Sequence, residues 1–236
     1  MSNENLVALI NRGIDLATPN LVLVDDRQYS DKKLHPVLDP VPEPLNLSTL
    51  ESLVDYAKKE APENPIIHVV SPVKVRLVSC LHGDFQQRSI FAETNCSPPE
   101  FGFGRFHMHE DFMIFLQALF EETPDRETVM AVIGNIADEN VATYEDDGVS
   151  QKVTVKAGIT RKSEAKVPNP VNLSPYRTFS EVTQPMSPFI LRMKQGSPLP
   201  SVALFEADGG LWKLNAIDSI KDFLGGKLPE NFTIIG

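Results

Sequence analysis

The sequence predicts an α+β fold: a mainly antiparallel sheet covered by several helices, with a proline-rich, extended C-terminal half. Three observations lead there. Residues 102 to 158 pass from a helical to an alternating hydrophobic period within one stretch. Short β-branched runs recur between residues 66 and 94. Prolines at 168, 170, 175, 185, 188, 198 and 200 preclude long helices and central strand positions in that region.

In the central stretch, Phe112, Phe115, Leu116 and Leu119 recur at the spacing of one helix face, predicting a helix over 108–121. Met113, Ile114, Ala118 and Phe120 fill the other side, and a helix apolar nearly all round belongs in a core or an interface. Glu110 and Asp111 fall in its first turn, where negative charge suits the helix dipole. The run is shorter than the roughly 20 apolar residues that cross a bilayer. Thr123-Pro124 reads as an N-cap and first position of a second helix over 124–137, with Val129, Val132, Ile133 and Ile136 as its stripe. Residues 141–145 and 151–157 then alternate around Asp146-Asp147-Gly148, which predicts a hairpin.

From the start, residues 2–17 form an amphipathic helix with Leu6, Leu9, Ile10 and Ile14 on one side, not a basic-then-apolar leader. A short strand at 21–24 and an extended piece at 33–38 precede Asp39-Pro40-Val41-Pro42-Glu43-Pro44, a stiff connector. The expected organisation is therefore an N-terminal appendage over 1–44 and a main domain over 45–236. Ser48 or Thr49 caps a helix over 49–60 that Pro62 stops, and runs at 66–70, 73–81 and 88–94 predict an antiparallel meander. Residues 167–176, 188–193 and 201–206 read as strands or extended edges. Ala207-Asp208-Gly209-Gly210 reads as a tight turn of a hairpin returning over 211–214. A helix over 217–224, ended by Gly225-Gly226, and a strand over 232–235 complete the chain.

A hydrophobic content of 42% and a charged content of 23% are those of a soluble globular protein. The net charge of −10 disfavours direct binding of nucleic acid or an anionic membrane. Its distribution is uneven. Residues 106–151 hold eleven acidic residues against Arg126 alone, whereas 152–166 hold Lys152, Lys156, Arg161, Lys162 and Lys166 against Glu164. These blocks are either two solvated faces or an electrostatic seam, within one chain or between subunits. The interface candidates are Phe112, Phe115, Phe120, Lys152, Lys156, Lys162 and Trp212. Cys80 and Cys96 match no metal spacing and read as free thiols of a reducing cytoplasm, with a mutual disulfide as the alternative.

Candidate chemistry is sparse. Phe101-Gly102-Phe103-Gly104-Arg105-Phe106 could cradle a phosphate, yet it lacks the full dinucleotide pattern and reads more simply as a turn. The nearest ligand-binding group is Arg105, His107, His109 and Glu110, where the two histidines lack a third ligand at metal spacing. No catalytic residue, metal or cofactor is expected. Trp212, the only tryptophan, is either a core plug or an interface anchor.

The segments VVSPVKVRLVS, FGFGRF through GNIADENV, DDGVSQKVTVKAG, VPNPVNLSPYRTF, QPMSPF and ALFEADGGLWKL resemble, in this order, the YfdQ-like family of uncharacterised tailed-phage and prophage proteins. The resemblance covers about two thirds of the chain, from Val69 onward. It implies expression in the cytoplasm of an infected or lysogenic bacterium and transfers no catalytic residue. The functional expectation is a non-enzymatic accessory protein that forms homo-oligomers and binds a host or phage protein. The alternatives are a nucleotide or small-ligand binder or enzyme, and an acidic mimic of nucleic acid that inhibits a host defence protein.

Overall fold

The computed structural model describes residues 3–17, 19–24, 27–30, 43–83, 86–138, 141–146, 151–157, 161–166, 169–194 and 199–236. The chain divides into two compact units, Met1–Val41 with His82–Gln87, and Pro42–Leu81 with Arg88–Gly236. In the first, α1 (Asn3–Ala17) precedes an antiparallel pair, β1 (Leu21–Val24) and β2 (Arg27–Ser30), with Leu21 opposite Ser30. Val7, Leu9 and Ile10 of α1 and Leu21, Val22 and Leu23 of β1 are each more than half exposed. The extended piece expected at 33–38 and most of the proline connector lie outside the described residues.

In chain order the second unit contains β3 (Leu45–Leu47), α2 (Leu50–Glu60), β4 (Ile66–Ser71), β5 (Lys74–Val78), β6 (Ile90–Asn95), α3 (His109–Ala118) and α4 (Pro124–Asp138). There follow β7 (Val141–Asp146), β8 (Gln151–Ala157), β9 (Arg161–Lys166), β10 (Val171–Leu173), β11 (Ser187–Lys194), β12 (Ser201–Glu206), α5 (Trp212–Lys227) and β13 (Thr233–Ile235). The fold is thus mixed α and β with mostly antiparallel pairing.

The sheet β13-β4-β5-β6-β3 has the expected antiparallel meander at its centre and a parallel strand on each edge. Alternation decides its inner face: Ile67, Val69, Val75, Leu77 and Ala92 are buried against Leu50, Leu53, Val54 and Ala57 of α2 and Ile220 and Leu224 of α5. Thr49 caps α2, its Oγ1 accepting from Ser52 N at 3.1 Å.

A second core forms where α3 and α4 cover β10-β11-β12. Phe112, Leu116, Phe120, Val129 and Ile133 meet Val171, Leu173, Phe189, Leu191, Val202 and Leu204. Phe101 packs edge-on against Phe112 and Phe120, with ring centroids 5.8 and 5.1 Å away. The nearly all-round apolar character of α3 is explained here. Phe112 and Phe120 are 0% and 1% exposed, so these two interface candidates belong to the core; Phe115 is partly buried against it, and Ile114 faces outward at 54%.

Three further expectations change. Residues 211–214 do not return as a strand, because both edges of β12 are occupied. It pairs with β11 on one side, while Gly104 N donates to Leu204 O at 2.8 Å and His107 bridges to Val202 on the other. Gly209 and Gly210, at φ 63° and 87°, turn the chain into α5 instead. That helix also runs through Gly225 and Gly226 rather than ending before them. Pro188 lies in the central strand of its sheet, not at an edge. It is the second residue of β11, opposite Asn172, and its carbonyl accepts from Ala207 N at 3.1 Å, so the missing N–H costs little at the strand's start.

The expected hairpin is present as β7 and β8, and β9 adds a third antiparallel strand. The register sets Lys152 opposite both Glu145 and Lys166, and Lys156 opposite Lys162.

On the five-stranded sheet, Glu93 accepts from Lys74, Arg76 and Asn95. The bonds from Asn95 and Lys74, helped by Arg76, outweigh the penalty of burial and lower its pKa from 4.5 to about 2. A depressed carboxyl pKa contributes stability above the ordinary value that is lost as pH falls through the folded one. Replacing Glu93→Gln is expected to flatten the loss of stability between pH 4.5 and 2, measured by urea unfolding across that range.

Candidate functional site

Residues 174–186 join β10 to β11 as irregular chain, and most of this segment is buried. Buried backbone requires hydrogen-bond partners, and local side chains supply them. Gln184 Oε1 accepts from the N–H groups of Arg177 and Thr178 at 2.9 and 3.2 Å, while its Nε2 donates to the carbonyls of Phe179 and Val182. Glu181 accepts from Leu50 N at the start of α2, Thr178 Oγ1 donates to Pro72 O, and Phe179 and Val182 enter the α2–α5 core. The segment's other end is tied to the exit of α3, since Tyr176 N donates to Leu119 O and Glu121 N donates to Ser174 O, both at 2.9 Å. One irregular stretch thereby joins the two cores.

Arg177 is its centre. The guanidinium donates from Nη1 to Glu206 at 2.9 Å and from Nη2 to Pro185 O at 3.2 Å and to Ser187 Oγ. Ser187 Oγ donates onward to Asp208 at 2.8 Å, and Asp208 also accepts the backbone N–H groups of Gly210 and Trp212 at the entry to α5. Burial lowers the Arg177 pKa to about 10 against the opposing pull of Glu206 and Asp208, so it stays charged at neutral pH. Burial disfavours ionised Asp208, but the hydrogen bonds from Gly210, Ser187 and Trp212, with the charge of Arg177, hold its carboxyl below the usual range. The guanidinium carbon lies 4.2 Å from the centroid of the Trp212 ring. Trp212 Nε1 is buried with no hydrogen-bond partner among the described residues, a cost of about 1–3 kcal/mol. A desolvated cation–π contact, worth roughly 2 kcal/mol, is of the size needed to offset it.

Above this pair opens a cleft of about 440 Å³. Pro98, Pro99, Phe103, Pro175, Tyr176 and Trp212 give it flat apolar walls, and Glu100, Arg177, Glu206 and Lys213 are its charged groups. Gly102 and Phe103 bring the glycine-rich turn to the cleft wall. That turn is closed by Arg105 N donating to Gly102 O at 3.3 Å, and φ near 77° at Gly102 and Gly104 explains why glycine stands there.

The structure separates the four expected ligand residues. Arg105 and Glu110 are exposed. His107 Nε2 lies 3.3 Å from Gly102 O and its ring packs on Phe101, inside the turn. His109 Nε2 lies 3.0 Å from Ile133 O, linking α3 to α4. Each histidine ring is thus engaged by the fold, and none of the four lines the cleft. Among the described residues no group of three or more His, Cys, Asp or Glu side chains could hold a metal ion. Cys80 and Cys96 are free thiols; burial, with Glu181 nearby, pushes Cys96 up to about 11. Trp212 is the interface candidate that does line the cleft, as the first residue of α5. Lys152, Lys156 and Lys162 are placed on β8 and β9 by backbone register alone. Arg177, Tyr176 and Phe103 carried no signal in the sequence beyond their residue types, because their partners are distant along the chain.

No protein-family model, curated protein or solved structure matches the chain. Among the described residues, no helix is long and apolar enough to cross a membrane.

Replacing Arg177→Leu leaves the carboxylates of Glu206 and Asp208 without their cation. The Glu206 side chain is 38% exposed, so water screens the carboxylate left behind, and the expected loss is that of hydrogen bonds to a charged group, about 1–3 kcal/mol. Denaturant unfolding is expected to show a loss of this size, with the Trp212 emission of the native state shifted as its cation is removed.

Proposed function

We propose that the protein acts by binding a ligand in the Arg177–Trp212 cleft. The observation that carries this is the pairing of the chain's only tryptophan with a buried arginine, hydrogen-bonded through both terminal nitrogens, on the floor of a concave, aromatic-walled site. Ligand sites typically occupy about 300–1,000 Å³, mostly apolar with a few placed polar groups, and the cleft falls within that range. Its charged groups are two carboxylates and two cations, and Arg177 and Glu206 already pair with each other. In the setting that the YfdQ-like resemblance implies, this is an accessory protein in a bacterial cytoplasm, and the ligand comes from phage or host.

Trp212 makes the test direct. Nucleoside phosphates, amino acids and a tryptic digest of bacterial protein are titrated against the full chain, following tryptophan emission and thermal midpoint. At least one class is expected to change the emission and raise the midpoint, with Tyr176→Ala weakening both responses. No response from any class near millimolar concentration would refute the reading.

A second reading, self-assembly, is favoured by the exposed apolar side chains of the N-terminal unit, Val7, Leu9, Ile10, Leu21, Val22 and Leu23. Association through them, with the charge blocks setting register, predicts a light-scattering mass above one chain at micromolar concentration. Reversing Lys152, Lys156 and Lys162 to Glu is expected to reduce that mass. A single-chain mass for the unmodified protein would sink this reading.

A further inference from the structure

We infer that His107, which does not itself line the cleft, is the positioning residue of its glycine-rich wall; this rests on the reading of the cleft as the binding site. The wall at Gly102 and Phe103 belongs to a turn, so its place depends on what holds that turn. Main-chain bonds anchor the downstream end to β12. Gly104 N donates to Leu204 O at 2.8 Å, and His107 exchanges bonds of 2.8 and 2.9 Å with Val202. The upstream end is held differently. The carbonyl of Gly102 accepts from Arg105 N, which closes the turn on itself, and from the imidazole of His107 at 3.3 Å. A carbonyl only accepts, so Nε2 carries the proton and donates. This bond ties Gly102 to a residue fixed on β12.

Both properties of a histidine are used. The ring packs 4.9 Å from Phe101 and stands edge-on to Phe115 of α3 at 5.4 Å, while its Nε2 meets the turn. A phenylalanine would keep that packing and lose the donor, and a glutamine would keep a donor and lose the packing. Space is limited on the turn's side as well. Gly102 has φ 77°, and a Cβ there would lie 3.5 Å from His107 Cε1. Phe103 follows directly, stacks on Phe189 at 5.1 Å and lines the cleft. A displaced turn carries this wall with it. His109, by contrast, bonds Ile133 O of α4, and neither residue lines the cleft.

Acrylamide quenching of Trp212 tests the inference, because the only tryptophan lines the same cleft as Phe103. Losing one hydrogen bond multiplies the population of a displaced turn by roughly two- to tenfold. His107→Phe is therefore expected to raise the quenching constant of the full chain about twofold or more. Gly102→Ala crowds the same contact, is expected to act in the same direction, and carries the test if His107→Phe does not fold. His109→Phe removes a bond of the same kind outside the cleft, and is expected to lower the thermal midpoint with quenching unchanged. Unchanged quenching in the folded variants at 107 and 102 would overturn the inference, and so would an equal rise in His109→Phe. Either result leaves the binding reading standing, since no ligand enters this experiment. Silence in the ligand titrations removes the binding reading instead, whatever the quenching shows.

Discussion

The buried guanidinium of Arg177 is the constraint on which the second unit's arrangement depends. It fixes the end of the irregular 174–186 segment, the start of β11 at Ser187, the end of β12 at Glu206 and, through Asp208, the first turn of α5. A planar group with donors in a fixed fork can satisfy several acceptors at once, which an ammonium on a flexible stem does less well. Its face is then left for Trp212. A charge taken out of water needs compensation, and the contacts of the two terminal nitrogens that make burial tolerable also position the cleft floor, while Nε has no partner among the described residues.

Apolar burial and polar stitching divide the work in this unit. The two cores use ordinary means: alternating strands and helix stripes, with Phe120 and Phe189 beneath α3 and Leu50, Leu53 and Ile67 beneath α2. Neither core specifies how the chain passes between them. That is decided by the 174–186 segment, where Gln184 uses both ends of its amide on local backbone and Thr178 and Glu181 reach Pro72 and Leu50. Irregular chain is tolerated in a buried position because each of these polar groups has a partner.

The charge blocks have a simpler consequence than their size suggests. At one pair, Glu145 and Lys152, the antiparallel register brings opposite signs to facing positions within the chain. Elsewhere the register sets lysines at facing positions, Lys152 with Lys166 and Lys156 with Lys162. Exposed ion pairs contribute about 0–1 kcal/mol each. The blocks can thus orient an association but not drive it, and apolar surface such as that of α1 and β1 has to provide the affinity.

The sequence by itself determined the elements whose cause is local. The Thr49 cap and apolar spacing specify α2, Thr123-Pro124 starts α4, and alternation with β-branched residues specifies β4 to β6 and the β7–β8 hairpin. Tertiary structure decided whatever depends on a partner far along the chain. Asp208-Gly209-Gly210 has the composition of a hairpin turn, but residues 104–107 already occupy the edge of β12, so the chain enters α5. Phe112 and Phe120 have the spacing of either a core or an interface, and only the packed sheet beneath them selects the core. The histidines lie close in sequence, yet each bonds a different element. Arg177 was silent for the opposite reason. Its partners at 185, 187, 206 and 212 come together only when the β11–β12 pair forms, and local periodicity carries no information about that convergence.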